Sequence, residues 1–401
     1  MKTVGIVAEY NPFHLGHAYQ LRESLRLAHD DAAVIAVMSG DYVQRGEASV
    51  FSKYARAEAA CRCGADLVVE LPLPWSIASA ERFADGAVRL LADLGADTLS
   101  FGSETADQAE LEELAALLAE PSFLEETKAS LKRDPNQSFA SARQKAAEKH
   151  RGKPLPTLQQ PNNILALEYL KAVQVHHLSM TPLAVRRFGA GHDESGEENG
   201  FLSASEIRRR LRRGERTDCY FPDRAAEVFQ RETEAGRTVF DQERQDLMLL
   251  SRLRFLGEED FCSLPDAGDG LGKRIWSAVR TESSYEGVLR AAATRRYPAS
   301  RVRRCCLAAV LGIKESLKEE AIPYARILAF NERGRAVLRR AEASGRVPLL
   351  TKPAQVSEMG EKVQTIFQLG ARAHDFYTLG FTGENERVCG EDWRKGPAVC
   401  I

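Results

Sequence analysis

The feature that most constrains this 401-residue chain is the regular strand–helix alternation of its first hundred residues. An apolar run, Thr3–Ala8 (TVGIVA), is followed by Ala18, Leu21, Leu25 and Ala28 at the three- and four-residue spacing of an amphipathic helix. Residues 33–38 (AVIAVM) are uninterruptedly apolar, as a strand buried on both faces of a parallel sheet should be. Ser52 is placed to cap a helix that reaches Cys63 and stops at Gly64. Residues 66–71 (DLVVEL), closed by Pro72, read as a third strand. A helix from about 76 to 94 stops at Gly95, and 98–102 read as the fourth strand. This order specifies a doubly wound α/β domain with right-handed crossovers.

Further along, 107–150 turn helical and highly charged, as expected of an insertion packed beside the sheet. Pro161-Asn162-Asn163 opens another helix, and 181–185 form a fifth strand leading into Arg186-Arg187. The glycine- and acid-rich stretch 189–200 has no apolar periodicity and reads as a mobile surface loop. A basic helix, 205–213, follows. Beyond Phe221 the periodicity predicts helices near 223–232, 241–255, 270–281, 301–311, 324–342 and 360–373, and an irregular tail after Gly383. The expected organisation is a Rossmann-like doubly wound parallel-sheet domain over 1–220, carrying the insertion, and a largely α-helical region over 221–401.

Composition bounds the function classes. No run approaches the roughly 18–20 apolar residues of a membrane span, and the N-terminus lacks a signal-peptide pattern, so a cytoplasmic location and no membrane partner are expected. The eight cysteines, Cys61/Cys63 and Cys305/Cys306 among them, lack paired metal-site spacing and read as reduced structural thiols. Adjacent His176 and His177 cannot converge on one metal. The net charge of −2 conceals an asymmetry: residues 1–150 hold 15 Lys/Arg against 23 Asp/Glu, whereas 201–346 hold 29 against 22, and 26 of those 29 are arginine. An arginine-rich second half suits a polyanion, although solvated helix faces with i,i+4 pairs account for such a bias equally well.

The chemistry concentrates in residues 5–17, GIVAEYNPFHLGH, between the first strand and the first helix. Ligands of open α/β sheets bind at this carboxyl edge. Gly16 lets backbone approach a phosphate, and the helix start offers free N–H groups and a positive dipole end. His14 and His17 flank that glycine as donors to phosphate oxygens; attack on an α-phosphate needs neutralisation more than a nucleophilic side chain. The plain alternative is that both rings serve only as turn residues satisfied by local backbone. A second piece, Ser203-Ala204-Ser205-Glu206-Ile207-Arg208, places hydroxyls and an arginine at a helix start, suited to the β and γ phosphates of a leaving pyrophosphate; Ser205 is equally explained as an N-cap.

HxGH with a late Ser-x-Ile-Arg segment is similar to the HxGH nucleotidyltransferase superfamily. GIVAEYNPFHLGH, MSGDYVQRGE (38–47), SKYAR (52–56), DLVVELP (66–72), FGSE (101–104), PNNIL (161–165) and SASEIR (203–208) together resemble the bacterial tRNA(Met) cytidine acetate ligase family. The resemblance covers about 1–213 and continues more loosely beyond, as at 327–334 (ILAFNERG). It departs mildly at Leu15, where the family often has asparagine, and at Ser205, where threonine is common. It implies that ATP and acetate form acetyl-adenylate and pyrophosphate; magnesium is expected because ATP usually arrives as its magnesium complex. The acetyl group then passes to N4 of the wobble cytidine of elongator tRNA(Met). By the same analogy ATP contacts fall on Val7, Ala8, Glu9, Tyr10, Asn11, Pro12, Phe13, His14, Leu15, Gly16, His17, Ala18, Tyr19 and Gln20. Further contacts by this analogy fall on Gly102, Asn162, Asn163, Arg186 and Arg187; Ser203 and Ser205 are phosphate candidates from the placement of their hydroxyls at a helix start.

Several other residues are candidates. His14, His17, Arg45 and Arg208 are expected to carry catalysis. Arg45 or Lys53 would hold the acetate carboxylate or a phosphate, or else be exposed loop charges. Glu104 reads either as a ribose neighbour or as a helix-start acid. No carboxylate cage for a metal is evident. For RNA the candidates are Arg209, Arg210, Arg212 and Arg213, then Arg295, Arg296, Arg301, Arg303 and Arg304, with a looser face at Arg333, Arg335, Arg339 and Arg340. Tyr297 is a candidate for stacking on an unpaired base. Two other functions stay open: a small-molecule adenylyltransferase, which shares HxGH but gives no reason for the arginine-rich half, and an ATP- and RNA-binding protein without turnover.

Overall fold

The computed structural model describes residues 1–28, 31–105, 107–134, 137–187, 201–317 and 321–401. The expected loop at 189–200 lies outside the described residues. The strands are β1 (Thr3–Ala8), β2 (Ala33–Ser39), β3 (Tyr42–Val43), β4 (Glu47–Ala48), β5 (Leu67–Leu71), β6 (Thr98–Ser103), β7 (Thr181–Arg186), β8 (Ala325–Phe330), β9 (Leu349–Leu350) and β10 (Ala398–Val399). The main sheet runs β10-β8-β5-β2-β1-β6-β7, with β9 beside β8; β3 and β4 form a separate hairpin. All of its pairings are parallel except β5 with β8. The order reverses beside β1, which opens a crevice at the carboxyl ends of β1 and β6.

The unbroken apolar run of β2 resolves into two faces with period two. Val34, Ala36 and Met38 join a core with Ala18 and Leu21 of α1 (Leu15–Leu27), Ala55 and Ala59 of α2 (Lys53–Arg62) and, further on, Val228 of the later helices. Ala33, Ile35 and Val37 face the opposite core, with Phe83 and Leu91 of α3 (Ala80–Asp93). There the charged insertion, α4 (Gln108–Ala119), α5 (Pro121–Arg133) and α6 (Phe139–Arg151), packs with α7 (Pro161–Val175). Ser52 caps α2 as expected, accepting from Ala55 N, and Gly64 (φ +118°) follows its end. The basic helix is α8 (Ala204–Arg212), and its cap is Ser203, not Ser205: the Ser203 hydroxyl accepts from Glu206 N.

Helices α9 (Asp223–Glu234), α10 (Gln242–Arg254), α11 (Glu258–Cys262), α12 (Leu271–Thr281), α13 (Tyr285–Ala292), α14 (Ala299–Leu311), α15 (Glu332–Ser344) and α16 (Glu361–Thr378) are the main elements beyond residue 221. Elements of α10 to α14 and α16 close a third core around Leu253, Ile275, Cys306 and Tyr377. The helix expected over 324–342 is corrected: 325–330 form β8, and α15 begins only at Glu332, capped by Asn331. Ala-Arg-Ile-Leu-Ala-Phe mimics a helical period because of Arg326, but Arg326 is buried against acids, so its position is not a solvent face. The tail is irregular, as expected, yet it folds back, and β10 pairs with β8. Because β8, β9 and β10 join the sheet begun by β1, a division at 220 separates chain segments without dividing the sheet.

Candidate active site

The β1–α1 turn is organised by its own imidazoles. His14 is the N-cap of α1: its Nδ1 accepts from Gly16 N at 3.0 Å, while its own N–H donates to His17 Nδ1 at 3.3 Å. The two rings thus form a reciprocal capping box, with centroids 4.0 Å apart. A Cβ on Gly16 would lie 2.8 Å from His14 Cε1, so this glycine makes room for the ring as well as for a ligand. Because each Nδ1 is an acceptor, each neutral ring must carry its proton on Nε2. Burial, reinforced by Arg187 and Arg208, lowers His14 to a pKa of about 3; burial, His14 and Arg187 lower His17. Local satisfaction, the plain alternative, therefore accounts for Nδ1 alone and leaves two Nε2–H donors. Tyr10, Phe13 and Ala18 are buried core residues, and Tyr10 and Phe13 pack on the edges or faces of His17.

The two distant motifs meet. Arg208 Nη1 donates to the Asn11 carbonyl at 2.8 Å, across 197 residues. Beside it a cavity of about 350 Å³ is lined by Arg45, Glu47, Ser205, Arg208, Arg209, Arg212 and Arg213. Glu47 is engaged by Arg303 at 2.5 Å, Arg209 pairs with Glu206, and Arg213 lies 3.7 Å from Glu215. Among the described residues Arg45, Arg208 and Arg212 have no carboxylate within ion-pair distance, so the cavity carries uncompensated positive charge. Glu9, just past β1, accepts from Gln44 N through Oε1 at 2.8 Å; burial raises its pKa against the opposing pull of that bond, Arg208 and Arg45.

Across the crevice, Gly102 makes room for a side chain: a Cβ there would sit 3.1 Å from Arg187 Cγ. Glu104 accepts from Asn162 N, Asn162 Nδ2 and Asn163 N, so it is the acid at the start of α7, the helix-start reading. Asn163 is committed internally: its Oδ1 accepts from Ser103 Oγ and Glu104 N, and its Nδ2 donates to Gln160. Arg186 and Arg187 end and follow β7 at the exposed rim.

Beneath the site lies a charged network that the sequence did not disclose. Lys53 is fully buried, with Nζ 2.7 Å from Asp392 and 3.1 Å from Glu70, so it is neither a free phosphate ligand nor an exposed loop charge. Asp392 also accepts from Tyr54 Oη and Arg326 Nη1, both at 2.7 Å. His374 sits between two carboxylates, Asp41 at 2.7 Å and Glu391 at 2.8 Å. Burial alone would strip its proton, but Asp41 and Asp392 raise its pKa to about 10. Arg56, also fully buried, donates to the carbonyls of Phe51, Glu9, Ser39 and Gly40, tying together the ends of β1 and β2. The sequence signal for both cations was their place in an otherwise alanine-rich helix, SKYARAEAA.

The second arginine cluster is largely spent internally. Arg296 pairs with Asp269 at 3.1 Å, Arg303 with Glu47, Arg301 donates to the Asp266 carbonyl at 2.9 Å, and burial lowers the pKa of Arg304. Tyr297 is buried, donates to the Asp269 carbonyl and is flanked by Arg296 and Arg301, which corrects its expected role as an open stacking surface. Arg333 donates to the Asp31 and Ala32 carbonyls, and Arg340 to that of Met1. Among the described residues no group of three His, Cys, Asp or Glu is placed to hold a metal ion, and no helix is long and apolar enough to cross a membrane.

A mostly parallel sheet with an HxGH capping box at its reversal point and a trailing Ser-x-Ile-Arg helix locked onto that turn defines a nucleotidyltransferase of the HIGH class. The family model described as HIGH Nucleotidyl Transferase matches residues 1–392. The chain belongs to that family and, within it, to the tRNA(Met) cytidine acetate ligases. It is 37% identical to the tRNA(Met) cytidine acetate ligase of Syntrophotalea carbinolica, over 89% of this chain and 86% of that one. It is 33% identical to that of Acetivibrio thermocellus, over 98% of both. The crystal structure of apo Thermotoga maritima TmcAL superposes with a TM-score of 0.93 at 30% identity, covering 100% of this chain and 99% of that one. The same protein bound with alpha-thio ATP gives 0.91 at 31% identity, with the same coverage.

Proposed function

We propose that this protein is an ATP-dependent acetate ligase that forms N4-acetylcytidine at the wobble position of elongator tRNA(Met), acting in the cytoplasm. The observation that carries the reading is the His14–His17 capping box joined to Arg208 through the Asn11 carbonyl, because it brings neutral N–H donors and a cation to one turn at the sheet's carboxyl edge. Membership of the family and the likeness to a relative bound with alpha-thio ATP support ATP as the co-substrate.

In this reading the adenosine lies against the 7–20 segment and Gly102, with Asn162, Arg186 and Arg187 at the rim. The phosphates run from His14 and His17 toward Ser203, Ser205, Arg208 and Arg45. An acetate oxygen attacks the α-phosphorus, the bond to pyrophosphate breaks, and developing negative charge is met by the two Nε2–H groups and the start of α1. Magnesium would enter on the triphosphate itself. The mixed anhydride then acetylates the cytidine amine, with Arg209, Arg210, Arg212, Arg213 and Arg295 meeting RNA phosphates. The test is to incubate the protein with ATP, acetate and elongator tRNA(Met), and to measure pyrophosphate and the digested nucleosides. Acetate-dependent pyrophosphate and N4-acetylcytidine are expected. A dinucleotide formed with a phosphorylated acceptor, or binding of ATP and RNA without product, contradicts the reading.

A further inference from the structure

The transfer step leaves a proton without an assigned acceptor, and the geometry narrows where it can go. Neither histidine of the turn serves: with Nδ1 of both rings accepting backbone N–H groups, Nε2 is protonated and can only donate. Several carboxylates stand at the carboxyl edge near this turn, and Glu70 is already shared by Lys53 and Arg326. Asp41 is consumed by His374 and by Lys53 N. Glu47 is held by Arg303. Glu104 receives three donors at the start of α7. Glu47 also leaves its Oε2 without a hydrogen bond among the described residues, but the Arg303 ion pair at 2.5 Å weakens it as a base. Glu9, its Oε1 fixed by Gln44 N at 2.8 Å, has no ion pair and no hydrogen bond on Oε2 among the described residues.

We infer, resting on the acetyl-transfer reading above, that Glu9 is the catalytic base of the second step. As cytidine N4 attacks the acetyl carbonyl, the N4–C bond forms and the C–O bond to the adenylate breaks. AMP departs with the electron pair, and the N4 proton passes to Glu9 Oε2. The position is built for this. The Glu9 carbonyl is anchored by Arg56, so the residue cannot drift from the end of β1. Charged and titratable neighbours face it from every side: Arg45 and Glu47 on the β3–β4 hairpin, Arg208 on α8, Arg56 on α2 and Tyr169 on α7. Its raised pKa, set chiefly by burial, moves the carboxylate toward the range in which a base works best.

The test uses the full chain with synthetic acetyl-adenylate and elongator tRNA(Met) in single turnover, from about pH 5 to pH 9. Wild type is expected to show a rate that falls on the acid side as Glu9 takes up a proton. Glu9→Gln is expected to lose roughly 10²- to 10⁴-fold in rate and to lose that acid limb. Glu9→Asp, which keeps the carboxylate, should retain the limb with a smaller loss; this separates a chemical role from a merely structural one. Transfer by Glu9→Gln within about threefold of wild type and with the same limb overturns the assignment. If wild type forms no acetylcytidine from acetyl-adenylate, the acetyl-transfer reading itself fails, and Glu9's role with it.

Discussion

Asp392 is the residue whose loss should be felt most widely, and the structure lets the effect be worked out. Its carboxylate is fully buried, accepting from Lys53 Nζ and Arg326 Nη1 at 2.7 Å and from Tyr54 Oη at 2.7 Å. Asp392→Asn keeps the shape and deletes the charge. Lys53 and Arg326 are then left to share Glu70, at 3.1 and 3.5 Å, with Asp41 at 3.8 Å from Lys53. At an effective dielectric constant of about 20, each 2.7 Å contact represents roughly 6 kcal/mol of gross attraction. Most of that offsets the cost of drying the charges, but removing one partner of a buried group typically costs about 3–5 kcal/mol. Against a usual total of about 5–15 kcal/mol this is a large fraction. Urea unfolding should register it, with Trp393 as a local reporter because it packs on Phe367, with ring centroids 4.7 Å apart. The consequence reaches the site: Asp41 holds Lys53 N and, through its carbonyl, Ser49 N, at the base of the hairpin that bears Arg45. Asp392→Asn should therefore also lower turnover. A loss of stability below about 1 kcal/mol would refute the claim that this network holds the tail against the nucleotide-binding edge.

Other expectations follow from the same geometry. Arg208→Lys should cost about 10²-fold in kcat/KM for ATP, because an ammonium cannot both reach the Asn11 carbonyl and face the cavity; steady-state kinetics with the circular dichroism unchanged checks it. Arg212→Ala and Arg213→Ala should weaken tRNA binding and each reduce its log–log salt slope by about 1, whereas Arg303→Ala should act mainly on stability through its partner Glu47. His374, raised to about 10, contributes stability that is full below its unfolded value of 6.5 and lost as pH rises through about 10. Asp41 and Glu391, brought down to about 2 against the opposing effect of burial, contribute stability that is lost on the acid side as pH falls toward that value. Unfolding midpoints against pH should thus show a plateau that narrows from both ends in wild type, and His374→Gln should remove the alkaline limb.

What the sequence revealed and what it withheld divide along a physical line. The four strands 3–8, 33–38, 66–71 and 98–102 and their helices were legible because apolar periodicity and local caps specify them without distant partners. The HxGH turn was legible for the same reason: its capping bonds close within three residues. The function of buried charges was not legible, since Lys53 and Arg326 make sense only with Asp392, an acid in a tail without periodicity. That same pairing hid β8, because a buried arginine in a strand reads like the polar side of a helix. The arginines of 295–304 misled in the opposite direction: composition counts their charge, but Asp266, Asp269 and Glu47 neutralise or occupy it.

Acetate activation depends on the paired imidazole N–H groups, and exchange of radiolabelled pyrophosphate into ATP in the presence of acetate probes them without involving tRNA. Wild type should exchange only when acetate is added, and His17→Ala, folded as judged by circular dichroism, should lose roughly 10²- to 10³-fold of that rate at saturating ATP. Exchange by the folded His17→Ala protein close to the wild-type rate would contradict that dependence.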